Sequence, residues 1–339
     1  MVLHPASRLQ PHIIVSTCFV FACVAGAYYG VASCAEQAQK HQGRKQTYVS
    51  FGVAPSGREL VFSAQGTNSS NLFTLKLTNS QVSAVTVDAA FDQQPAFSPD
   101  GKHIVFAASE TSEGAAHIFI CPSGGGPRQQ LTRVSCYDTS PSFSRDGTQI
   151  VFARAARKRP YSMGGWTWDQ WDVFTMAADG SSLKRITSGQ YYQLSSPVLS
   201  PDNKTVLFSM THGTQVQRDV CIARTEGTSQ PVMLTRDGHS SEASYSPKGD
   251  HIVFISDATI NYDYELWMMK PDGSASLQLT HTGFYNREPR FTPDGRHLLF
   301  LSDPTRQLRY SLLQIDTNGA NLRKIADSSL FDDPLKWRP

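Results

Sequence analysis

The chain has 339 residues, of which 40% are hydrophobic and 18% are charged, and its formal net charge is +2 at pH 7. This composition is typical of a globular protein with a sizeable core, and the length suits one large all-β domain or two ordinary domains. So small a net charge gives no electrostatic ground for a nucleic-acid partner.

The first 34 residues differ from the rest of the chain. After Arg8 no Asp, Glu, Lys or Arg occurs until Glu36, and the apolar run Ile13–Val31 lies between them. This pattern predicts an export signal. The run ends on Val31-Ala32-Ser33-Cys34, which resembles the bacterial lipobox, in which the Cys becomes lipidated. An ordinary signal peptide and an uncleaved anchor helix are the alternatives, because the run approaches the length that spans a bilayer.

A polar segment, Ala35–Thr47 (AEQAQKHQGRKQT), follows the apolar run. Its Gln and Lys content is typical of a tether between a membrane attachment and a folded domain. The predicted organisation is therefore an export or lipoprotein segment over residues 1–34, a tether over residues 35–47 and one folded domain over residues 48–339. The protein is expected to be periplasmic or at the cell surface, and attached to the membrane through its N-terminal lipid or anchor.

A turn motif recurs six times along the folded domain. Each copy ends on Gly or Asn, the residues that most readily adopt a positive φ, and Pro usually stands shortly before it. Successive copies end 44, 46, 56, 46 and 46 positions apart. The turns are Ala54–Gly57, Ser98–Gly101, Ser144–Gly147, Ser200–Asn203, Ser246–Gly249 and Thr292–Gly295. The motif predicts a tight hairpin turn in each of six repeat units.

Four short strands are predicted in each repeat unit, with the turn between the first and the second. The second strand carries a Phe preceded by an aliphatic pair, as in Ile104-Val105 and Leu298-Leu299. A strand that is apolar on both sides is buried on both faces, as in a sheet packed between two neighbouring sheets. The Phe residues are Phe62, Phe106, Phe152, Phe208, Phe254 and Phe300.

The third strand is a short apolar run, and the fourth ends on an apolar residue followed by Thr, with Ile325-Ala326 as a degenerate last copy. The third strands are predicted at Leu72–Leu75, Ile118–Cys121, Val173–Met176, Val220–Ala223, Leu266–Met269 and Leu312–Ile315. Four strands at this period predict an all-β fold, a six-bladed β-propeller of four-stranded antiparallel blades.

The pattern Pro-x-Phe-Ser-Pro-Asp-Gly-Lys-x-Ile-Val-Phe, seen from Pro95 to Phe106, resembles the repeat of the TolB-like β-propeller family, a relative of WD-type repeats. The resemblance covers residues 48–339 and implies a propeller fold. TolB proper has an α/β domain before its propeller, whereas a short tether precedes the first repeat unit here. The resemblance therefore implies the fold and not the Tol partner set.

Ring closure is expected to involve the C-terminus. Ala326 and Trp337 are 11 residues apart, the interval that separates the fourth strand of the preceding unit from the next first-strand aromatic. Pro334–Trp337 is therefore predicted to be a seventh copy of the first strand, which docks into repeat unit one and removes an open sheet edge. The competing segment for this position is Tyr48–Val53, and we favour the C-terminal one.

Three Cys residues, Cys121, Cys136 and Cys221, lie outside the export segment. An odd number excludes a fully paired disulfide framework. A Cys121–Cys136 disulfide and three free thiols are equally compatible with the sequence.

No motif of a hydrolase, zinc peptidase, P-loop enzyme or dinucleotide-binding enzyme occurs in the sequence. The turn carboxylates are predicted to be structural, because Asp in such turns bonds to neighbouring backbone N–H groups. They are Asp100, Asp146, Asp202 and Asp294. His212, His239 and His281 depart from the repeat, and three imidazoles on one face would suit Zn²⁺ or Mn²⁺. Solvated loop histidines are the alternative to this site, and no cofactor is predicted.

The strongest departure from the repeat is an inserted loop in repeat unit three, Arg154–Trp171. Indole faces stack on sugars or aromatic rings, and guanidinium groups pair with carboxylates and phosphates. The loop carries Arg154, Arg157, Lys158, Arg159, Tyr161, Trp166, Trp168 and Trp171. The connections between units are expected to bring Asp92, Tyr137, Asp138, Gln193, His239, Tyr285, Arg287 and Glu288 to the same face. A ligand-binding face is predicted, and a loop that plugs the channel mouth is the alternative.

The sequence thus predicts a non-catalytic binding or scaffolding propeller of the cell envelope. Its top face would recognise an envelope protein, peptide or glycan. The alternative is a metal-assisted, lyase-like enzyme that acts on polysaccharides. The binding function is favoured, because nothing in the sequence resembles an activated nucleophile or a close acid–base pair.

Overall fold

The computed structural model describes residues 50–65, 69–88, 90–111, 114–160, 165–212, 217–227, 230–258 and 263–331. The export segment, the tether, Cys34 and Pro334–Trp337 lie outside these residues. Within the described ranges, no helix combines the length and the apolarity needed to cross a bilayer.

The described chain is all-β, as predicted from the sequence, and contains one short 3-10 helix at Ser328–Leu330. The strands of repeat units one to three are β1 (Phe51–Val53), β2 (Glu59–Gln65), β3 (Ser70–Lys76), β4 (Val82–Ala84), β5 (Phe91–Phe97), β6 (His103–Ser109), β7 (Ala116–Pro122), β8 (Gln129–Gln130), β9 (Tyr137–Phe143), β10 (Gln149–Pro160), β11 (Trp166–Ala177) and β12 (Lys184–Arg185). Those of units four to six are β13 (Gln193–Leu199), β14 (Thr205–His212), β15 (Gln217–Arg224), β16 (Val232–Met233), β17 (Ser240–Tyr245), β18 (Ile252–Ser256), β19 (Glu265–Met269), β20 (Leu277–Gln278), β21 (Tyr285–Phe291), β22 (His297–Asp303), β23 (Ser311–Asp316) and β24 (Arg323–Ala326).

Strand pairing follows chain order within each repeat unit. Units four, five and six are separate four-stranded sheets, β13–β16, β17–β20 and β21–β24. Units one to three are joined into one 12-stranded sheet. The links are single parallel pairs, Ser70↔Phe91 between β3 and β5 and Ala116↔Tyr137 between β7 and β9. All other pairs between two named strands are antiparallel, so the tight turns share one end of the units, the bottom face, and the connections between units share the other, the top face.

The second strands form the core, as their continuous apolar runs predict. The Phe side chain of each is buried, with a relative exposure of 0% in five units and 2% in unit five. A sheet apolar on both faces needs a neighbour on each side, so the units pack face against face. One hydrophobic cluster includes residues of both unit one and unit six, among them Phe62 and Phe300.

The tight turns also touch one another in series. A Cβ placed on Gly101 would lie 3.7 Å from the Pro55 ring of the preceding unit, and one placed on Gly57 would lie 3.4 Å from the Pro293 ring, so each turn Gly is in contact with the turn of a neighbouring unit. The contact of Gly57 with Pro293 joins unit one to unit six. Between units three and four the pattern changes, because Asn203 replaces the Gly and its Nδ2 donates a hydrogen bond to Asp146 at 2.8 Å. The turn contacts therefore continue from unit to unit along the bottom face.

The strand pairing in unit one corrects the prediction that the C-terminal segment supplies its first strand. β1 pairs with β2 at Phe51↔Phe62, Gly52↔Val61 and Val53↔Leu60. The competing segment Tyr48–Val53 therefore supplies the first strand at these positions, and the preference for the C-terminal segment was wrong there. The chain nevertheless returns to unit one, because the buried ring of Phe331 lies edge-on to Phe62 with centroids 5.1 Å apart.

We expect Phe331→Ala to lower the free energy of unfolding by about 3 kcal/mol, because truncating a buried ring leaves a cavity against unit one. Chemical denaturation followed by circular dichroism measures the change. The control is Phe284→Ala, since that ring is partly exposed and its truncation should change the free energy by about 0.5 kcal/mol or less. Equal, small changes in both variants would show that the C-terminal contact does not hold unit one.

Candidate functional site

The insertion of unit three is a β-hairpin, which corrects the loop predicted for Arg154–Trp171. β10 and β11 each contain 12 residues, and they pair from Gln149↔Ala177 to Pro160↔Trp166. The second strands of the other units contain five to eight residues. Side chains directly opposite one another in an antiparallel pair share a face of the sheet. Lys158 and Trp168 therefore share one face of the extension, while Arg157 and Asp169 share the other.

Arg154 is buried at the base of this hairpin and is paired with Asp138. Its Nε and Nη2 donate to the two carboxylate oxygens of Asp138 at 2.6 and 2.8 Å. The guanidinium also lies over the Phe174 ring, 5.0 Å from the centroid. Both charges of this pair are removed from solvent, so Arg154 and Asp138 stabilise the hairpin base and present no charge on the surface.

Arg157 and Arg159 converge on one carboxylate, that of Asp169. Arg157 donates through Nε and Nη2 to the two oxygens of Asp169 at 3.0 Å each. Arg159 Nε lies 2.5 Å from Asp169 Oδ2. The hydrogen bond from Arg157 lowers the pKa of Asp169 below its usual value, so the carboxylate is charged at neutral pH. The two Arg side chains remain partly exposed, at 58% and 33%, whereas that of Asp169 is 11% exposed.

The three Trp side chains of the hairpin have different environments. Trp171 is buried, and its Nε1 donates to the backbone oxygen of Trp168 at 3.0 Å. The half-buried Trp168 ring lies 5.6 Å from the Tyr137 ring. Burial raises the pKa of Tyr137 to about 12. Trp166 is 52% exposed, with Lys158 Nζ 5.8 Å from its ring centroid. Trp168 and Trp171 thus pack on the top face, and Trp166 offers its ring to solvent.

Other predicted site residues lie between units five and six, away from the hairpin. Tyr285 is buried with its ring 5.0 Å from that of Tyr264. Arg287 Nη2 donates to Glu242 Oε1 at 2.5 Å, and the backbone N–H of Glu288 donates to Glu242 Oε2 at 2.7 Å. Burial raises the pKa of Glu288 above its usual value. These contacts link the first strands of two neighbouring units. Tyr161 lies outside the described residues.

The candidate metal ligands are held by separate carboxylates. His212 Nε2 lies 2.6 Å from Asp219, and His239 Nδ1 lies 2.9 Å from Asp257. In the part of the chain that the structure describes, no three His, Cys, Asp or Glu side chains converge in a way that could hold a metal ion. The structure therefore does not bring the three predicted histidines together.

The turn carboxylates and the cysteines have structural environments. In the turn of unit two, Asp100 Oδ1 accepts from Ser98 Oγ at 2.5 Å and from the Lys102 backbone N–H at 3.0 Å. Asp146, Asp202 and Asp294 accept equivalent pairs of hydrogen bonds, which confirms the structural prediction. Cys121, Cys136 and Cys221 are free thiols, so the Cys121–Cys136 disulfide is not formed.

Two site residues were missed from the sequence. Asp169 lies among the hairpin Trp residues, and the alternation of side chains along the two strands would have placed it opposite Arg157. Tyr192, in the connection between units three and four, is 46% exposed, and the Arg159 guanidinium lies 5.9 Å from its ring centroid. Arg157, Arg159 and Tyr192 together form an exposed cationic and aromatic surface, the hairpin surface, while Lys158 and Trp166 lie on the opposite face of the two strands.

Residues 36–164 and 165–339 match the model of the TolB beta propeller domain family. The Tol-Pal system protein TolB of Francisella tularensis subsp. mediasiatica (strain FSC147) is 30% identical over 222 residues, which are 64% of this chain and 47% of that protein. The chain thus spans about half the length of the curated relatives it matches.

Solved structures share the fold. TolB from Acinetobacter baumannii superposes with a TM-score of 0.63 at 19% identity, over 78% of this chain and 62% of that one. An oligogalacturonate lyase from Vibrio parahaemolyticus superposes with a TM-score of 0.58 at 13% identity, over 84% and 78%. At these identities the likeness extends to the fold alone. With most of its length matched by the family model, the chain belongs to the TolB beta propeller domain family.

Proposed function

We propose that this protein is a non-catalytic binding or scaffolding propeller of the cell envelope, which docks a protein partner on its top face at repeat unit three. The observation that carries the proposal is the hairpin of β10 and β11, which elaborates one unit of a repeating fold and exposes Trp166 beside Lys158. Large aromatic and Arg side chains at the centre of a surface are the residues that most often dominate binding energy.

The architecture that supports this surface is, in our proposal, a closed ring of six four-stranded blades. The pairing of strands in chain order within each repeat unit supports four strands per blade. The turn contact between Gly57 and Pro293 supports closure after six units. In such a ring the connections between units share the top face with the hairpin, so several units contribute to one docking surface.

The cell-envelope setting rests on the export segment and on the relatives. The matched curated relatives are named Tol-Pal system proteins, which favours a protein partner over a peptide or a glycan. Attachment to the membrane through a lipidated Cys34, or through an uncleaved anchor, remains part of the proposal. The lyase-like alternative shares the fold, but no group of described residues favours it over binding.

Capture of a partner from envelope extract tests the proposal. We expect Trp166→Ala to weaken binding by about 1 kcal/mol or more, because an exposed indole loses its contacts only in the complex. The melting temperature should stay near that of the unchanged protein. Titration of the captured partner by calorimetry gives the affinity, and circular dichroism gives the melt.

Trp168→Ala is the contrasting variant. Because the Trp168 ring packs on Tyr137 in a hydrophobic cluster, its truncation should lower the melting temperature. Full affinity in Trp166→Ala would contradict docking at the hairpin. A fall in its melting temperature would favour a plug over a recognition element.

A further inference from the structure

The hairpin surface contains two guanidinium groups that share a single carboxylate. Asp169 holds Arg157 through two hydrogen bonds and Arg159 through a third contact at 2.5 Å. One carboxylate neutralises one of the two cations, so a net positive charge remains at this point of the surface. Each guanidinium has more N–H donors than its contacts with Asp169 use. The two partly exposed Arg side chains can therefore still donate to a ligand.

Asp169 also fixes the positions of the two Arg side chains. A long Arg side chain loses conformational entropy when it binds a ligand, and a contact that already restrains it reduces this cost. Asp169 is 11% exposed, and its strand position opposite Arg157 is set by the hairpin register. The Tyr192 ring lies 5.9 Å from the Arg159 guanidinium and limits its movement on the other side. The two forks are therefore held in place before any ligand arrives.

We infer that Arg157 and Arg159, positioned by Asp169, form a carboxylate-binding clamp that selects an acidic segment of the partner protein. The inference rests on the proposed function, in which a protein docks on this surface. A guanidinium binds a carboxylate through two parallel hydrogen bonds, which gives both energy and orientation. The partly exposed Tyr192 ring, which lies beside Arg159, offers an apolar face to the side chains next to that carboxylate.

An acidic protein segment fits this surface better than inorganic phosphate does. A clamp for a small anion needs only the two Arg side chains, whereas this surface adds the partly exposed Tyr192 ring, which suits an apolar chain beside the charge. Anionic glycans also combine charge with stacking surfaces. The test therefore includes a phosphate arm and an oligogalacturonate arm, and binding of either in place of the peptide overturns the choice of ligand.

The probe is a short synthetic peptide of alternating Glu and Leu, with the Gln and Leu peptide as its neutral counterpart. Calorimetry at low salt should show binding of the Glu peptide and much weaker binding of the Gln peptide. Arg157→Ala should weaken the Glu peptide about ten-fold, as expected for the loss of a charged two-point contact. Arg296→Ala removes an exposed cation from the turn of unit six on the bottom face, and it should leave the affinity unchanged.

Asp169→Asn separates a clamp from simple charge attraction. The substitution makes the surface more positive, so attraction alone predicts tighter binding of the Glu peptide. A clamp that depends on Asp169 for its geometry predicts weaker binding. Arg157→Lys keeps the charge and loses the planar fork, so it should also weaken the complex. If Asp169→Asn lowers the melting temperature, Arg157→Lys is the variant that distinguishes a clamp from charge attraction.

Two results would overturn the clamp. One is unchanged or tighter binding in Asp169→Asn together with full binding in Arg157→Lys. The other is equal affinity of the Glu and Gln peptides for the unchanged protein. If an envelope partner is still captured in a manner that depends on Trp166, the proposed function stands and only the acidic ligand is wrong.

Discussion

Replacing Arg154 with Ala is expected to lower the free energy of unfolding by about 3–5 kcal/mol. The substitution leaves the carboxylate of Asp138, which is 0% exposed, without the two hydrogen bonds that compensate its burial. A buried charge that has lost its partner costs far more than the intact pair contributes. Urea denaturation followed by tryptophan fluorescence measures the change.

Two further variants identify the cause of this loss. Arg157→Ala removes a cation of the same hairpin whose side chain is 58% exposed, and it should change the free energy of unfolding little, because solvent screens an exposed ion pair. Arg154→Leu combined with Asp138→Leu removes both charges and should recover much of the stability, because apolar side chains suit the site. A large loss in Arg157→Ala, or none in Arg154→Ala, would contradict the assignment of Arg154 to the hairpin base.

Arg154 illustrates what the sequence alone could not show. In the chain it stands beside Arg157, Lys158 and Arg159, and residue type does not separate one cation from the next. Its burial follows from the pairing Arg154↔Asp138 between β10 and β9, which depends on a strand register set by the whole sheet. Local sequence patterns carry no information on such a register.

The repeat, by contrast, was visible in the sequence because it depends on local chemistry. Gly or Asn at the end of each turn supplies the positive φ, as at Gly101 with φ 72° and Asn203 with φ 59°. The apolar runs around Phe106 and the other second-strand Phe residues report burial on both faces. Each of these signals spans fewer than about ten residues, so the all-β propeller fold could be predicted from one sequence.

The hairpin was partly visible as well. The longer spacing in unit three marked an insertion, and its alternating pattern at Trp166-Thr167-Trp168-Asp169 is typical of a strand. The segment was predicted to be a loop from its composition, so the opposed pair Arg157↔Asp169 was missed. The division of the Trp residues into packed and exposed side chains depends on Tyr137, a residue from a different strand.

Asp92 is a buried carboxyl group whose charge depends on pH in the neutral range. It lies in the first strand of unit two with 0% exposure, and Arg128 Nη1 is 3.1 Å from its Oδ1. Burial raises the pKa of Asp92 to about 7, because removal from water outweighs the hydrogen bond with Thr86 and the favourable contact with Arg128. The unfolded chain ionises near the ordinary pKa of 3.8. The folded protein therefore retains a proton on Asp92 that the unfolded chain releases.

Stability should fall as the pH rises through this interval. Between about pH 4 and pH 7 the unfolded chain binds fewer protons than the folded protein, so the free energy of unfolding falls by about 1.4 kcal/mol per pH unit. The total approaches about 4 kcal/mol and is constant above pH 7. Asp92→Asn keeps the shape and removes the titration. It should therefore match the unchanged protein near pH 4 and be more stable at pH 8.

The matched control is Asp88→Asn, because the exposed Asp88 contacts the same Arg128 at 3.1 Å. It should reproduce any effect of losing a partner of Arg128 but keep a pH-dependent stability, shifted to somewhat lower pH because the Asp88 charge contributes to the raised pKa of Asp92. Denaturation of the three proteins at several pH values between 4 and 8 gives three curves, and the difference between the curve of Asp92→Asn and that of the unchanged protein isolates Asp92. A pH profile of Asp92→Asn parallel to that of the unchanged protein would show that Asp92 is already ionised in the folded state. Arg128 would then compensate its burial fully, and the first strand of unit two would carry a stable ion pair like that of Arg154 and Asp138.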